Sequence, residues 1–251
     1  AIGCDDVVAI GANAIGGGIH GELGTIAIGS SALTSLTSGA RNTAVGYEAG
    51  GLTTTGADNT YIGYQAGDDT RDDSKQNTVV GSLAFAGTHI TADADDCVAI
   101  GYSALGGVLQ HADVAGTVAI GSSALSALTT GAQNTVIGYQ AADGLTTGAY
   151  NTVLGYDALG NATTAADHHV AIGRGAMSGN IGTEDLNFCV AVGDLAMSGA
   201  LDAAASGSVA LGKSALAALT AGAGNTAVGY ASMFEHSTGA KNTCLGYETM
   251  Y

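Results

Sequence analysis

One sentence is written into this chain again and again. The stretch TTGADNTYIGYQAG (residues 54–67) returns as TSGARNTAVGYEAG, TTGAQNTVIGYQAA, TTGAYNTVLGYDAL, TAGAGNTAVGYASM and STGAKNTCLGYETM. The glycine that closes each β-branched run fixes the register. These anchors are Gly11, Gly29, Gly46, Gly63, Gly81, Gly101, Gly121, Gly138, Gly155, Gly173, Gly193, Gly212, Gly229 and Gly246, 14 copies spaced 17 to 20 residues apart. A unit this short cannot bury both of its faces. It must stack on its own copies, with stability close to a sum over neighbours. A longer period overlies the first. Residues 24–47 match residues 116–139 and 207–230 at offsets of 92 and 91, so five coils form a super-repeat (24–115, 116–206 and a partial 207–251) within a single repeat domain, 1–251.

Each run reads as a strand followed by a turn. The residue before the anchor (position −1) is aliphatic in every copy, position −3 is Val, Ile or Thr, and Ala stands at +3 in 12 of 14. Alternation puts −3 and −1 on one face and −2, mostly Ala, on the other. With both faces apolar, the strand must be covered twice. We expect one face inside the coil, and the small Ala face packed against a sister chain. The sequence thus predicts an all-β solenoid of about 14 coils, each rising about 4.8 Å. The anchor glycines, among them Gly46, Gly63, Gly138, Gly155 and Gly229, are expected in a conformation closed to side chains. In the short coils a second glycine, such as Gly39 or Gly131, marks the other corner. Asn at −4 (Asn42, Asn59, Asn134, Asn151) is expected to take a left-handed turn and to form a ladder that satisfies turn amides. KSALAALTAG (residues 213–222) has helix formers enough for one short helical turn as a rival local reading.

Composition excludes several classes. Forty-one Gly without a single Pro rules out collagen and Pro-rich linkers. A net charge of −16 repels nucleic acid and anionic membranes. There is no apolar run of about 18 residues for a membrane-spanning helix, and no leader pattern opens the sequence. Cys4, Cys97, Cys189 and Cys244 make no Cys-x-x-Cys pair, and they read as small buried thiols, with an inter-chain bridge as the rival.

The residues TVAIG (117–121) and NTVIGYQA (134–141) resemble the head repeats of trimeric autotransporter adhesins. The Thr-Gly-Ala-x-Asn-Thr version is also similar to repeats of phage tail fibres. The likeness spans almost the whole chain. It implies a left-handed β-roll with three rolls packed side by side. The coils here are longer than the adhesin head's. No stalk, translocator-barrel or tail-fibre peptidase pattern occurs in the 251 residues.

Candidate sites are few. Tyr47, Tyr64, Tyr102, Tyr139, Tyr156, Tyr230 and Tyr247 follow their anchors, as a rim ladder or as a sugar-stacking column. Acids gather at Asp5 and Asp6, at Asp68, Asp69, Asp72 and Asp73, at Asp93, Asp95 and Asp96, and at Glu184 and Asp185. Carboxylates suit calcium, with Asp93, Asp95 and Asp96 as weak candidates, but no calcium-loop spacing is present and solvated loops are the simpler reading. His20 and His111 fall at nearly the same place in the super-repeat; at a three-fold axis three copies could hold an ion, with surface or interface packing the simpler reading, while His168 and His169 are adjacent and His89 and His236 stand alone. No nucleophile–base–acid set emerges, so neither an enzyme nor a cofactor is expected.

These features point to a structural or adhesive segment of an extracellular, cell-surface or virion fibre, homotrimeric, with self as its first partner and a host receptor or glycan as its second. Candidate contact loops are residues 68–76, 87–96, 106–115 and 178–187. The rival is a self-stacking filament, in which residues 1–3 complete a neighbour's coil by strand addition. An ice-binding face needs an outward Thr array. Thr at −3 alternates with Val and Ile, which reads as buried.

Overall fold

The computed structural model describes residues 6–17, 24–68, 74–87, 94–107, 114–162, 166–181 and 186–250. The chain clusters into two compact units, Ala1–Ser123 and Ala124–Tyr251. Every anchor glycine ends a three-residue strand. The first unit holds β1 (Val8–Ile10), β2 (Ile26–Ile28), β3 (Thr43–Val45), β4 (Thr60–Ile62), β5 (Thr78–Val80), β6 (Val98–Ile100) and β7 (Val118–Ile120). The second holds β8 (Thr135–Ile137), β9 (Thr152–Leu154), β10 (Val170–Ile172), β11 (Val190–Val192), β12 (Val209–Leu211), β13 (Thr226–Val228) and β14 (Thr243–Leu245).

Within each unit the strands pair in chain order, all parallel, with like repeat positions facing one another. Thr43 lies against Thr60, and Thr60 against Thr78. The strand register is therefore the same whether neighbouring anchors lie 17 or 20 residues apart. The fold is an all-β, parallel solenoid of about 12 turns. Among the described residues the one helical element is a single 3-10 turn, Ala203–Ala205, capped by the Asp202 carboxylate. No helix among them is long and apolar enough to cross a membrane.

The strand faces are the reverse of the expected arrangement. The residues at −2 point into the coil: Ala27, Ala44, Ala99, Ala119, Ala171 and Ala210 are fully buried. Positions −3 and −1 point outward, so Ile28, Ile62, Ile137 and Leu154 are more than a third exposed. Coil volume is the cause. The interior is filled from the other side by Ala at +3 and by Leu, Phe or Met at +4, such as Leu33, Phe85, Leu105, Met177 and Leu216. Small or β-branched side chains, Ala or Val (Val79, Val136, Val153), then fill the space left at −2. Tyr61 shows the same rule inverted. This buried ring at −2 faces Gly50 and Gly67 at +4, and a Cβ on Gly50 would come within 2.6 Å of it. The Thr residues at −3 share the outward face, so their expected burial is also corrected. Thr78, Thr135, Thr152 and Thr243 are exposed. The face is a mixed Thr and aliphatic surface rather than a uniform Thr array.

The segment after each anchor is not a helical turn, even in KSALAALTAG. Residues at +2 and +4 take left-handed φ, as in Ser214 (56°) and Leu216 (51°). Left-handed residues so placed turn successive amides in opposite directions, which no right-handed helix allows. The +2 N–H donates back to the preceding coil (Glu48 to Ser30), and the +4 N–H donates on to the next (Gly50 to Ala66). Neighbouring coils thus satisfy the backbone that a helix would satisfy internally.

The anchor glycines behave as expected. Their φ values lie between 130° and 150°. A Cβ on any that has a following coil in its unit would strike the next anchor's carbonyl; at Gly63 it would lie 2.5 Å from the Gly81 oxygen. The left-handed turn expected at Asn −4 falls one residue earlier. Position −5 carries it, in Arg41 (58°), Asp58 (62°), Gln76 (60°) and Gln133 (60°). The Asn side chain is needed inside the coil, and its left-handed neighbour turns the chain to aim it there.

Candidate functional site

Three columns of side chains run along the coils beside the outward sheet face. The innermost, at −4, is the predicted ladder. The Asn42 Oδ1 accepts from the Asn59 backbone N–H (3.0 Å) and from its Nδ2 (3.1 Å). Asn59 repeats this toward Asn77, at 3.0 and 3.1 Å. Each Nδ2 also donates to a carbonyl of the next turn, Asn42 to Gly56 at 2.8 Å and Asn59 to Ser74 at 2.8 Å. Asn134 and Asn151 do the same in the second unit. Buried amides in this arrangement are fully used, which makes the column rigid and costly to interrupt.

Other residue types hold the same slot. Ser208 accepts from the Asn225 N–H at 3.3 Å. Cys97 donates its thiol to the Val114 carbonyl at 3.3 Å, and Cys189 to that of Ala205 at 3.5 Å. Cys97, Cys189 and Cys244 are buried and free, and burial pushes the Cys97 thiol up to about 11. Cys4 lies outside the described residues.

His169 is fully buried in this column. Its Nδ1 accepts the Cys189 N–H at 3.2 Å, and its Nε2 donates to the Leu186 carbonyl at 2.9 Å. The ring thus replaces an Asn side chain, as a neutral imidazole. Counting four residues back from Gly173 finds it in the sequence, because that register also selects every Asn of the ladder. Burial lowers its pKa from 6.5 to about 4, against smaller opposing contributions from its hydrogen bonds and Asp167. An unfolded chain binds the proton first. The stability held above pH 6.5 is therefore lost as pH falls from 6.5 to 4, by about 3 kcal/mol in all. The urea midpoint should drop across that window, and His169→Asn should remove this share of the drop. A variant with the same pH profile as wild type would exclude His169 as its source.

The second column stands at +1. Tyr47 stacks on Tyr64 with ring centroids 5.5 Å apart, Tyr139 on Tyr156 at 5.7 Å and Tyr230 on Tyr247 at 5.0 Å. All six are exposed, as is Tyr102. Elsewhere the column becomes ionic: Asp194 is flanked by Arg174 at 2.7 Å and Lys213 at 3.6 Å. These exposed pairs are weak individually.

The third column, at −5, is also on the surface. Arg41 clasps Asp58 through two hydrogen bonds. Three consecutive coils then carry rings instead. Tyr150, His168 and Phe188 stack at 4.9 Å per step, each at a left-handed φ of 60° to 63°.

The acidic candidates are dispersed. Asp95 spends one oxygen on the Lys75 N–H at 2.7 Å, and Asp96 sits in the −5 column. Among the described residues no three His, Cys, Asp or Glu side chains gather where they could hold a metal ion. Asp93, Asp5, Asp69, Asp72, Asp73, Glu184 and Asp185 lie outside the described residues, with His20, His89, His111 and the middles of the four candidate loops. His236 contacts the Asn242 amide at 3.2 Å. A shallow groove between coils is lined by Ser31, Thr34, Glu48, Gly51, Leu52 and Asp68. Compared with known proteins, the chain matches no family model and no curated sequence.

Proposed function

We propose that this chain is a non-enzymatic building and attachment segment of an extracellular or virion fibre, in which three left-handed rolls pack side by side through their outward strand faces. One observation carries the reading. In each unit the outward face presents rows of Val, Ile and Leu at −1, in register from coil to coil. Ile28 is 37 % exposed, Ile62 40 % and Leu154 46 %, each beside a buried −2 residue. An aliphatic surface this regular gains most when another such surface covers it, at about 25 cal/mol per Å² of apolar area removed from water. Tyr pairs beside it supply the amphipathic rim that protein interfaces favour. Charge supports the fibre setting. Among the described residues no acid lies in a strand, and acids outside the strands keep a fibre soluble and limit lateral clumping. Attachment through such an assembly would be multivalent, with each weak site presented three times.

Ile62→Lys and Leu154→Lys test this, one in each unit. Both side chains already point to solvent within a single chain, so the coil should remain intact. Size-exclusion chromatography should show wild type as a larger species and each variant as one chain with an unchanged circular dichroism spectrum. Equal elution of variants and wild type would contradict side-by-side packing. Mass that grows with concentration and persists in both variants would favour end-to-end stacking instead.

A further inference from the structure

The −5 column of the second unit changes character along its length. Tyr150, His168 and Phe188 form a continuous ring stack, and the two positions that follow are Gly207 and Gly224, with Lys241 after them. Backbone bonds hold the series in line: Phe188 N–H to Asp167 (3.3 Å), Gly207 N–H to Asn187 (3.0 Å), Gly224 N–H to Ser206 (3.1 Å) and Lys241 N–H to Ala223 (2.9 Å). The stack therefore stops at Phe188, which is 62 % exposed, and its far side looks over two positions without side chains. A Cβ placed on Gly207 would meet nothing within 4 Å, while one on Gly224 would lie 3.8 Å from the Lys241 Cγ. The result is an open shelf. An aromatic ring forms one wall, glycine backbone the floor, and the stem of a lysine the other wall. At about 4.8 Å per coil the walls stand three steps, about 14 Å, apart, so the two empty positions have the depth of two stacked rings; a ring seated on Phe188 fills the first, and the Lys241 stem, its Cγ 3.8 Å from a Cβ on Gly224, borders the second.

The charge at the far wall differs from those of Arg41, Arg174 and Lys213. Arg41 is matched by Asp58, and Arg174 and Lys213 by Asp194. Lys241 is exposed and has no carboxylate partner among the described residues. The rings at 150, 168 and 188 also carry a backbone cost. Tyr and Phe resist left-handed φ more than His does, and the column elsewhere uses Gly or flexible polar side chains. Packing of the coil does not require these rings, because they lie outside it.

We propose that the Phe188 shelf binds the ring of an acidic saccharide. The shelf is open to water, so a wholly apolar ring would gain little there. A pyranose offers one C–H face to the Phe188 ring and keeps its hydroxyl groups hydrated. A carboxylate on that ring reaches the Lys241 ammonium, a charge-assisted contact that favours acidic over neutral sugars. This deepens the attachment reading and rests on it for its biological setting. The shelf is separate from the sheet face, so a single chain binds as well as an assembly, and loss of assembly in the Lys variants leaves this inference standing.

The test is titration of the full chain with α-2,3-sialyllactose, trigalacturonate and lactose, followed through the Phe188 ring signals by NMR. At least one acidic saccharide should shift those signals, and lactose should bind at least about tenfold more weakly. Gly207→Tyr should abolish the shift of the Phe188 signals, because the new ring covers the open face of Phe188. The variant's fold should survive, since Tyr150 already holds this conformation at the same repeat position. Lys241→Gln should weaken binding about tenfold and keeps the test decisive if Gly207→Tyr fails to fold. The proposal is overturned if neither acidic saccharide shifts Phe188 at up to about 10 mM, the weak end of specific binding. Equal binding of lactose, or a retained shift of the Phe188 signals in Gly207→Tyr, would overturn it too. So would an aromatic peptide that shifts Phe188 where both saccharides fail, which makes the shelf a protein contact.

Discussion

Gly63→Ala should destabilise the first unit by about 3–5 kcal/mol, enough to lower its melting temperature by roughly 10 °C or to prevent folding. Two costs add. The backbone φ at Gly63 is 138°, outside the regions open to L-residues with a Cβ. The new methyl group would also lie 2.5 Å from the Gly81 carbonyl oxygen and 2.7 Å from its carbon, both backbone atoms of the next coil. Neither can withdraw without breaking the strand ladder. Gly207→Ala is the matched control. Its φ is 72° and its Cβ would meet nothing, so it should cost only about 1 kcal/mol, the left-handed penalty by itself. Comparable losses in the two variants would mean that backbone conformation, and not coil-to-coil contact, dictates glycine at the anchor.

The second large effect concerns the ladder. Asn59→Leu keeps the side-chain volume and deletes the amide. The Asn77 N–H and Nδ2 then lose their common acceptor, and the Asn42 Oδ1 loses a donor, all in a buried setting. Each unsatisfied buried group costs about 1–3 kcal/mol, so a total of about 3–5 kcal/mol is expected in urea unfolding. Asn59→Ser should cost far less, about 1 kcal/mol. Ser208 holds the equivalent slot with its hydroxyl 3.4 Å from the Gly222 carbonyl. If the Ser and Leu variants lost the same amount, the ladder would be a packing feature with no energetic part for its hydrogen bonds. Loss should be local in either case, since each coil contacts chiefly its neighbours and unfolding need not be two-state.

The repeat made the fold legible. Gly46, Gly63 and Gly138 each close a strand because steric exclusion of a Cβ is written directly as glycine, and Asn42 with Asn59 at a constant offset means a ladder. The orientation of the strands was harder to read. Alternation tells that Ala44 opposes Thr43 and Val45, but with both faces apolar it does not tell which is inside. Size did contain the answer. Tyr61 breaks the Ala series at −2, and glycines at 50 and 67 break the Leu and Met series at +4. Only residues packed together compensate volume in that way. Asn at −4 was expected to turn left-handed because Asn tolerates it; the turn instead sits at Arg41 and Asp58, whose side chains are free to lie on the surface. Residue type alone does not mark His169 as buried. By register it is one more rung. The Phe188 shelf is invisible to motif reading, since it consists of where a column of rings stops.

Sedimentation equilibrium of the wild-type chain tests the central claim most directly, since the aliphatic strand face either is or is not covered by sister chains. One chain weighs 24.3 kDa. The expected result is a discrete species of about three times that mass, unchanged over a tenfold range of concentration near 10 μM, as burial of the apolar strand face of each unit requires. A folded species that stays at 24.3 kDa under the same conditions would contradict it, because the outward rows of Val, Ile and Leu would then be stable in water.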